Sequence, residues 1–408
     1  MNIIGKKVLL VTSTNLTCNP RCLKELQLLL QLKAKVTVVA FNLYNWTNEE
    51  EKQIKNKFPQ VDFIYLNATK NDNFFPWFIA SVGQKISALL VFIFSKNVFF
   101  NAMACSKSNW MLYQFFKQTT LQANLLIAHN PAAFYAATLF ATKNKIPLAI
   151  DVEDFHPGES NHLNRLSKAI SIVMLHVLPK CVYTSYAAPL IKKYTQQLLP
   201  NKLHNAIVIN NSFSVQEFAL PMHSYSNDLI QIVWFSQYID YGRGLEMVLP
   251  ILDTFSNNIS LTLIGNNRQI FYDKEIAIRK YIICKPAMPH LALQQILSNY
   301  DIGLAIEDAS ANLNRNICLT NKIWSYFQSG LFIVATNTDA QNLFMQQHPN
   351  HGIIVTTEKH DLINTITELI KNKELIKSNK IVRFNLAKTF NWDNESHHLA
   401  TMWEEVIN

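Results

Sequence analysis

No uninterrupted apolar run approaches the roughly 20 residues that a membrane span requires. In the most hydrophobic stretch, Phe74 to Phe100, the longest unbroken piece is Ala88 to Phe94, because Gln84, Lys85 and Ser87 interrupt it. The six cysteines (Cys18, Cys22, Cys105, Cys181, Cys284 and Cys318) form no Cys-x-x-Cys pair. Cys18 and Cys22 stand as Cys-x3-Cys with no second pair to complete a metal site, so the thiols read as buried and free, in a reducing compartment. There is no dense run of Lys and Arg, although the 408-residue chain has a formal net charge of +8. That argues against nucleic acid and leaves nucleotide phosphates or an anionic membrane face as the partner of a basic chain. No repeat of solenoid length is visible. Lys6 and Lys7 precede only a short apolar run, Val8 to Thr12, which predicts a strand rather than a signal peptide. Apolar residues make up 49% and charged residues 16% of the sequence, a core-rich composition of two-domain length.

Short apolar runs alternate with helix-length stretches. The first set of predicted strands is Val8–Val11, Val36–Ala40, Phe63–Leu66, Leu125–Ala128, Leu148–Ile150, Cys181–Thr184 and Ala206–Ile209, with helices such as Cys22–Lys33 and Pro131–Asn144 between them. The period is then lost over Asn210 to Asn227, which is polar, contains a proline and reads as a linker. A second set follows: Ile230–Phe235, Ile259–Ile264, Ile282–Cys284, Ile302–Ala305, Phe332–Ala335 and Ile353–Val355, with helices at Leu291–Asn299 and Lys322–Gln328 and a last one from Trp392 to Val406. Strand–helix alternation predicts two doubly wound α/β domains with parallel sheets. The expected boundaries are 1–210 for the first domain, 211–227 for the linker, 228–390 for the second domain and 391–408 for a helix returning to the first. Ligands of such sheets bind at the carboxyl ends of strands, and two such domains facing across a cleft would hold two substrates and exclude water.

Two segments of the second domain fit an anionic ligand. Ser236 to Leu245, SQYIDYGRGL, follows the first strand of that domain and leads into a helix. Its glycines would let backbone N–H groups approach a phosphate, and Arg243 offers a bidentate fork. The alternative is an ordinary strand-to-helix loop with a surface Arg, since no third glycine completes a dinucleotide fingerprint. Leu319 to Val334, LTNKIWSYFQSGLFIV, reads as a helix with Asn321 and Lys322 at its N-terminus and Gly330 as its C-cap, followed by a buried strand. Here the plain alternative is a cap and a solvated lysine.

The Asn321-Lys322-Ile-Trp-Ser-Tyr-Phe-Gln-Ser-Gly330 run resembles the NK-x-x-E-Y-x-x-x-G block of family-4 glycosyltransferases. Arg243-Gly244 is similar to that family's basic-Gly element. Asn19-Pro20-Arg21 with Lys24-Glu25 resembles the opening of many bacterial members, and Trp392 with its helix resembles their C-terminal segment. The resemblance covers nearly the whole chain in order. It implies the GT-B fold, a nucleotide-sugar donor on the second domain and retention of anomeric configuration. It also implies a hexosyltransferase-type enzyme of cell-surface polysaccharide assembly, acting on a glycan or lipid-linked acceptor. Arg243, Gly244, Asn321 and Lys322 fall on the donor side. Their positive charge would stabilise the leaving nucleoside diphosphate, so no metal or other cofactor is expected. The chain departs from the pattern at the family's two glutamates, where it has Ile317 and Ser325. Ser325 keeps a hydrogen-bonding group for the donor ribose, and Glu307 is a candidate replacement. The other readings of the departure are a non-catalytic binding or scaffold protein of the same fold, or a nucleotide-sugar epimerase.

In the first domain, AIDVEDFHPGE gathers Asp151, Glu153, Asp154, His156 and Glu159 just after a strand. Related transferases often carry a His at the place of Glu153. Glu153, Asp154 and His156 are the catalytic candidates, as proton acceptors or stabilisers of an oxocarbenium-like centre. Alternatively the cluster only caps the next helix, or Asp151 and Glu153 hold a divalent cation as the DxD carboxylates of the GT-A fold do. Asn19, Arg21 and His129 are the acceptor-side candidates, although a lone His at a strand end is often structural. Phe74–Phe100 is expected to be either a buried helix or an interfacial one making weak contact with the inner face of a membrane, where Lys85, Lys96 and Lys107 would meet anionic headgroups. Cytoplasmic placement is expected, peripheral on the inner face of the membrane where the interfacial alternative holds.

Overall fold

A computed structural model describes residues 3–45, 47–67, 69–70, 72–160, 164–201, 203, 205–221, 228–356 and 358–407. It divides into two compact units, Met1–Ile209 with Ser396–Asn408, and Asn210–Glu395. The first unit has strands β1 (Lys7–Thr12), β2 (Lys35–Asn42), β3 (Asp62–Asn67), β4 (Leu125–His129), β5 (Leu148–Val152), β6 (Tyr183–Tyr186) and β7 (Ala206–Val208). Its helices are α1 (Pro20–Gln31), α2 (Asn48–Lys57), α3 (Phe74–Ile93), α4 (Val98–Cys105), α5 (Lys107–Gln118), α6 (Pro131–Asn144), α7 (Arg165–Val177) and α8 (Pro189–Leu198). The second unit has strands β8 (Ile230–Ile239), β9 (Ile259–Asn267), β10 (Ile282–Lys285), β11 (Ile302–Ala305), β12 (Phe332–Thr336) and β13 (Gly352–Val355). Its helices are α9 (Leu245–Leu252), α10 (Gln269–Phe271), α11 (His290–Leu297), α12 (Leu313–Ile317), α13 (Asn321–Gln328), α14 (Asp339–Gln347), α15 (Lys359–Lys371), α16 (Lys373–Ser378) and α17 (Lys380–Ala387), and α18 (Trp392–Ile407) follows.

Both sheets are wholly parallel. The first runs β3-β2-β1-β4-β5-β6-β7 and the second β10-β9-β8-β11-β12-β13. Their central strands are continuous apolar runs, as in Val8–Val11 and Leu125–Ala128, which are buried throughout. Sheets covered by helices on both faces require that pattern instead of alternation. In each sheet the chain leaves the first strand towards one edge and later returns to build the other. The switch points lie between β1 and β4 and between β8 and β11, where adjoining crossovers part and leave room for ligands at the carboxyl ends.

Two expectations change. The presumed linker is not free chain where it is described. Asn210–Pro221 belongs to the second unit, with Phe213 and Phe218 in its core beside Val233, Ile264, Tyr326 and Phe327. Gln328 accepts from the Phe213 N–H and donates to its carbonyl, both in the buried interior. Two isolated aromatics anchor a segment whose polarity shows no period. Residues 222–227 of the expected linker lie outside the described residues. The stretch from Phe74 forms two helices, α3 and α4, and α3 is not a buried helix: Ala80 and Ser87 are its buried residues.

The last helix starts in the second unit, and from Ser396 onward it belongs to the first. Leu399, Ala400 and Trp403 are buried, and the Trp403 indole donates to the Tyr183 hydroxyl of β6 at 2.7 Å. Trp403→Ala is expected to destabilise the first unit by about 3–5 kcal/mol through loss of a buried aromatic, and Trp403→Phe by less. Urea denaturation followed by circular dichroism measures both; an unchanged midpoint for Trp403→Ala would mean that the helix end is not anchored there.

Candidate functional site

At the switch point of the first sheet the register aligns Thr12, His129, Asp151 and Ser185 in one row across β1, β4, β5 and β6. Residues level with one another on parallel strands share a face, so the four side chains lie on one side of the sheet, where His129 and Asp151 meet α1. Arg21 and Glu25 are four apart on α1 and project from the same side of it. Arg21 Nε and Nη2 donate to the two carboxylate oxygens of Asp151 at 2.8 and 2.7 Å, and Nη1 donates to the Ile209 carbonyl at 2.8 Å. Ser185 Oγ donates to the same carboxylate at 2.6 Å. His129 sits between Glu25, 3.3 Å from Nε2, and Glu153, 3.4 Å from Nδ1.

Burial alone would raise the Asp151 pKa, but Arg21 and His129 outweigh it and hold the carboxyl well below the usual range. For Arg21, burial opposes the charge and Asp151 more than restores it. Burial also opposes protonation of His129, yet Cys22, Glu25 and Asp151 around it raise its pKa well above that of a free imidazole. Burial is the first cause of the raised pKa of Glu25, which His129 only partly offsets. The row therefore holds a fixed Arg–Asp pair beside a His–Glu pair that retains a proton.

The sequence candidates of this unit separate accordingly. Asn19 caps α1 by accepting from the Cys22 N–H and donates to Asn130. Arg21 is buried against Asp151, so it is not available to an acceptor. His129 is buried. Glu153 is the carboxylate of the group that opens to solvent, with its side chain 19% exposed. Asp154 is half-buried. The His156 ring is buried, with Nδ1 2.6 Å from Glu159 and no hydrogen-bond partner for Nε2. Glu25, His129 and Asp151 offer ligand atoms within 4.8 Å of one another, a separation compatible with a shared cation. However, the Asp151 oxygens already serve Arg21 and Ser185, and the guanidinium supplies the positive charge that a metal would bring. That use of Asp151 also argues against a DxD-type pair with Glu153.

Asn130 adjoins the His129 candidate at the end of β4, and in the sequence the two read together as a possible acceptor contact. It follows β4 at φ +65°, a left-handed backbone that a non-glycine residue adopts at some cost, and precedes Pro131. Its side-chain oxygen accepts from Thr12 Oγ1 at 2.7 Å and from Asn19 Nδ2 at 3.2 Å, tying β1, α1 and β4 across the switch point. Glu25 was legible within the Lys24-Glu25 element, but its role appears only once β4 places His129 opposite.

In the second unit the loop after β8 carries Gly242 and Gly244 at φ +70° and +86°. A Cβ on Gly244 would lie 2.4 Å from the Ile306 side chain, so the loop packs directly on the end of β11. The next residue, Glu307, holds Lys322 Nζ of α13 at 2.7 Å, with both side chains largely enclosed. The lysine also lies 5.6 Å from the Trp234 ring centroid. Arg243 is exposed at the tip of the loop, and Arg315 of α12, which was not anticipated, donates to the Gly242 carbonyl at 3.1 Å. The second switch point thus gathers Arg243, Arg315 and Lys322. Two carboxylates already occupy part of it: Glu246 accepts from the Gly242 N–H at 2.6 Å, and Glu307 pairs with Lys322. Asn321 is exposed and accepts from Asn211. Ser325 is turned into the fold, where its hydroxyl accepts from Gln294 at 2.8 Å; a ribose contact by that side chain finds no support in this geometry.

The buried row of the first unit has a pH signature. His129 and Glu25 both bind protons more tightly in the fold than in the unfolded chain. The His129 contribution is full below about pH 6.5 and is lost as pH rises through its raised folded value, and Glu25 acts in the same direction from lower pH. The urea midpoint should fall as pH rises above about 6.5, and fall less in His129→Asn. Asp151→Asn should destabilise the unit by about 3–5 kcal/mol, because the Arg21 charge stays buried without its partner.

No family model and no curated protein sequence matches the chain. Among solved structures it is similar to HepE of Anabaena in complex with UDP, at 12% identity and a TM-score of 0.67, over 98% of this chain and 100% of that one. It is also similar to the sucrose-phosphate synthase of Thermosynechococcus elongatus, at 9% identity and a TM-score of 0.68, over 98% and 99%. A mutant of TarM from S. aureus, in complex with fondaparinux, α-GlcNAc-glycerol and UDP, matches at 10% identity and a TM-score of 0.62, over 99% and 100%. What the chain shares with these proteins is the GT-B architecture of two Rossmann-like domains with parallel sheets.

Proposed function

We propose that the chain is a retaining glycosyltransferase of hexosyltransferase type. It moves a sugar from a nucleotide-sugar donor on the second unit to a glycan or lipid-linked acceptor served by the first, in cell-surface polysaccharide assembly on the cytoplasmic side. The observation that carries this reading is the second switch point, where Arg243, Arg315 and Lys322 lie round a glycine loop packed on the end of β11. The leaving group in such a transfer is a nucleoside diphosphate that gains negative charge as the bond to the sugar breaks. Cations fixed beforehand stabilise that charge without a metal ion, and two of the three offer guanidinium forks suited to phosphate. HepE is solved with UDP-glucose as well as with UDP, which supports the donor class. Retention of configuration is supported by the resemblance of the Arg243-Gly244 and Asn321-Lys322 elements.

In this reading the donor displaces Glu307 from Lys322, and the freed carboxylate is the candidate for the ribose hydroxyls. Glu153 is the candidate to accept the acceptor hydroxyl's proton or to stabilise charge at the anomeric carbon. His129 beside it, carrying a proton, would hold Glu153 in place through the 3.4 Å contact from Nδ1. Asp154 and His156 stay in the same loop as supporting candidates.

Arg243→Ala and Lys322→Ala are each expected to weaken nucleoside diphosphate binding by about ten- to a hundredfold, the range of a lost charge-assisted hydrogen bond. Calorimetry with a panel of nucleoside diphosphates measures this, and wild-type affinity in both variants would overturn the donor site. Glu153→Gln is expected to lower turnover at least about tenfold without changing diphosphate affinity. Product analysis with and without acceptor completes the test. Donor isomerised with no acceptor present would indicate an epimerase, and tight binding with no product under either condition would indicate a scaffold.

A further inference from the structure

The face that α3 presents to solvent is the reverse of what a water-soluble helix presents. Its packed side has small and polar residues at the centre, Ala80, Ser81, Gly83, Gln84 and Ser87, with Trp77, Leu90 and Val91 half-buried towards the ends. Gly83 lies directly on the Trp110 ring of α5, where a Cβ would come within 2.5 Å, and Gln84 donates to the Ala104 carbonyl of α4 at 3.3 Å. Its outer side carries Phe75, Ile79, Val82, Ile86, Leu89 and Ile93, spaced alternately four and three apart, with Phe75 and Ile93 each 75% exposed. Water would favour the opposite arrangement, and a contiguous apolar stripe of this length marks a surface that something covers.

Charge indicates what covers it. From Asn73 to Ile150 the sequence has no Asp or Glu, and it carries six lysines. The whole first unit has 22 Lys and Arg against 12 Asp and Glu, whereas the second has 15 against 17, so the excess positive charge belongs to the unit that bears the stripe. Cations stand at the edges of the helix: the Arg165 guanidinium of α7 lies 3.8 Å from the Phe92 ring centroid, and Lys107 Nζ lies 5.2 Å from that of Trp77. Lys85 is exposed near the helix centre, with a stem long enough to bring its ammonium to headgroup level. An apolar stripe on a stretch of sequence that has lysines and no carboxylate from Asn73 to Ile150 matches the boundary between acyl chains and anionic headgroups.

We propose that α3 is a monotopic anchor. It lies in the plane of an anionic lipid bilayer with Phe75, Ile79, Ile86, Leu89 and Ile93 among the acyl chains and the surrounding lysines on the phosphates. By length and composition the helix could also cross a bilayer, with a mean hydropathy of 1.5. Crossing would strip away the packing of Gly83 on Trp110 and the bond from Gln84, so the interfacial placement is the one compatible with the fold. The anchor does not depend on the transferase reading: it would hold for a protein of this structure whatever its second unit binds.

Vesicle co-sedimentation of the full chain tests it, with phosphatidylcholine alone and with about a third phosphatidylglycerol. Binding is expected with the anionic vesicles at low salt, weaker at high salt, and at least about tenfold weaker on neutral vesicles. Combined Ile79→Ser, Ile86→Ser and Leu89→Ser is expected to weaken binding by at least about tenfold while leaving the far-ultraviolet spectrum unchanged, because these side chains face outward. Lys85→Glu with Lys96→Glu is expected to abolish the preference for anionic vesicles. Three results would each overturn the proposal: no sedimentation with anionic vesicles at low salt, equal binding by the serine variant, or a stable dimer in light scattering that is lost in the serine variant and binds no vesicles. Retention of the chain in vesicles after alkaline carbonate would replace the interfacial anchor with a span.

Discussion

Arg21 and Asp151 form an ion pair with their side chains 4% and 0% exposed, closed by two parallel hydrogen bonds. A pair taken out of water to that degree contributes little net stability compared with well-packed apolar side chains, because desolvation offsets most of the attraction. What it does is fix geometry, since neither partner can move without stranding the other. Arg21 also bonds to the Ile209 carbonyl, and Asp151 to Ser185, so α1, β5, β6 and the end of the first unit's main segment are located by one guanidinium. The position of α1 in turn brings Glu25 to His129, and the negative surroundings of His129 keep its proton. The partly open Glu153 stands next to that proton. The electrostatics of the first site thus follow from a single buried contact.

The two sheets obey the same topological rule and put different chemistry on it. Each is parallel and reverses its strand order once, which leaves a place between two adjacent carboxyl ends that no crossover covers. In the first unit that place is filled from within by a buried polar row and closed over by Asn130. In the second it is formed by glycine backbone and cations, with Glu246 and Glu307 as internal counter-charges. A preformed cationic site without such carboxylates would repel itself, and with them an incoming anion has to exchange one partner for another. In the proposed donor reading, affinity for a diphosphate would be a difference between two interactions, and selectivity would come from ribose hydroxyls re-engaging the displaced carboxylate.

The charge imbalance between the units belongs to the same division of labour. The unit with the exposed apolar helix carries the basic excess, while the unit with the cationic loop is nearly neutral as a whole. Local positive charge at a loop and a net positive charge over a whole unit are separate features, and this chain places them on separate units.

The sequence by itself determined the architecture. Apolar runs of strand length alternating with helical stretches are visible in one dimension, because burial on both faces of a parallel sheet leaves little tolerance for polar residues. All thirteen strands among the described residues were legible, with β6 displaced two residues towards the C-terminus because Ser185 and Tyr186 are buried despite their polarity. The glycine loop and the Asn321-Lys322 helix start were legible too, since backbone conformation and helix ends impose local residue choices. Partnership was decided only by the tertiary structure. Nothing local shows that Arg21 would be spent on a carboxylate 130 residues away, that Glu307 would hold Lys322, that Arg315 would reach the Gly242 carbonyl, or that Ser325 would turn inward to Gln294. The linker and α3 show the same limit. Two phenylalanines among polar residues became core, and a run of phenylalanines and isoleucines became surface, because what a side chain faces depends on which elements pack beside it.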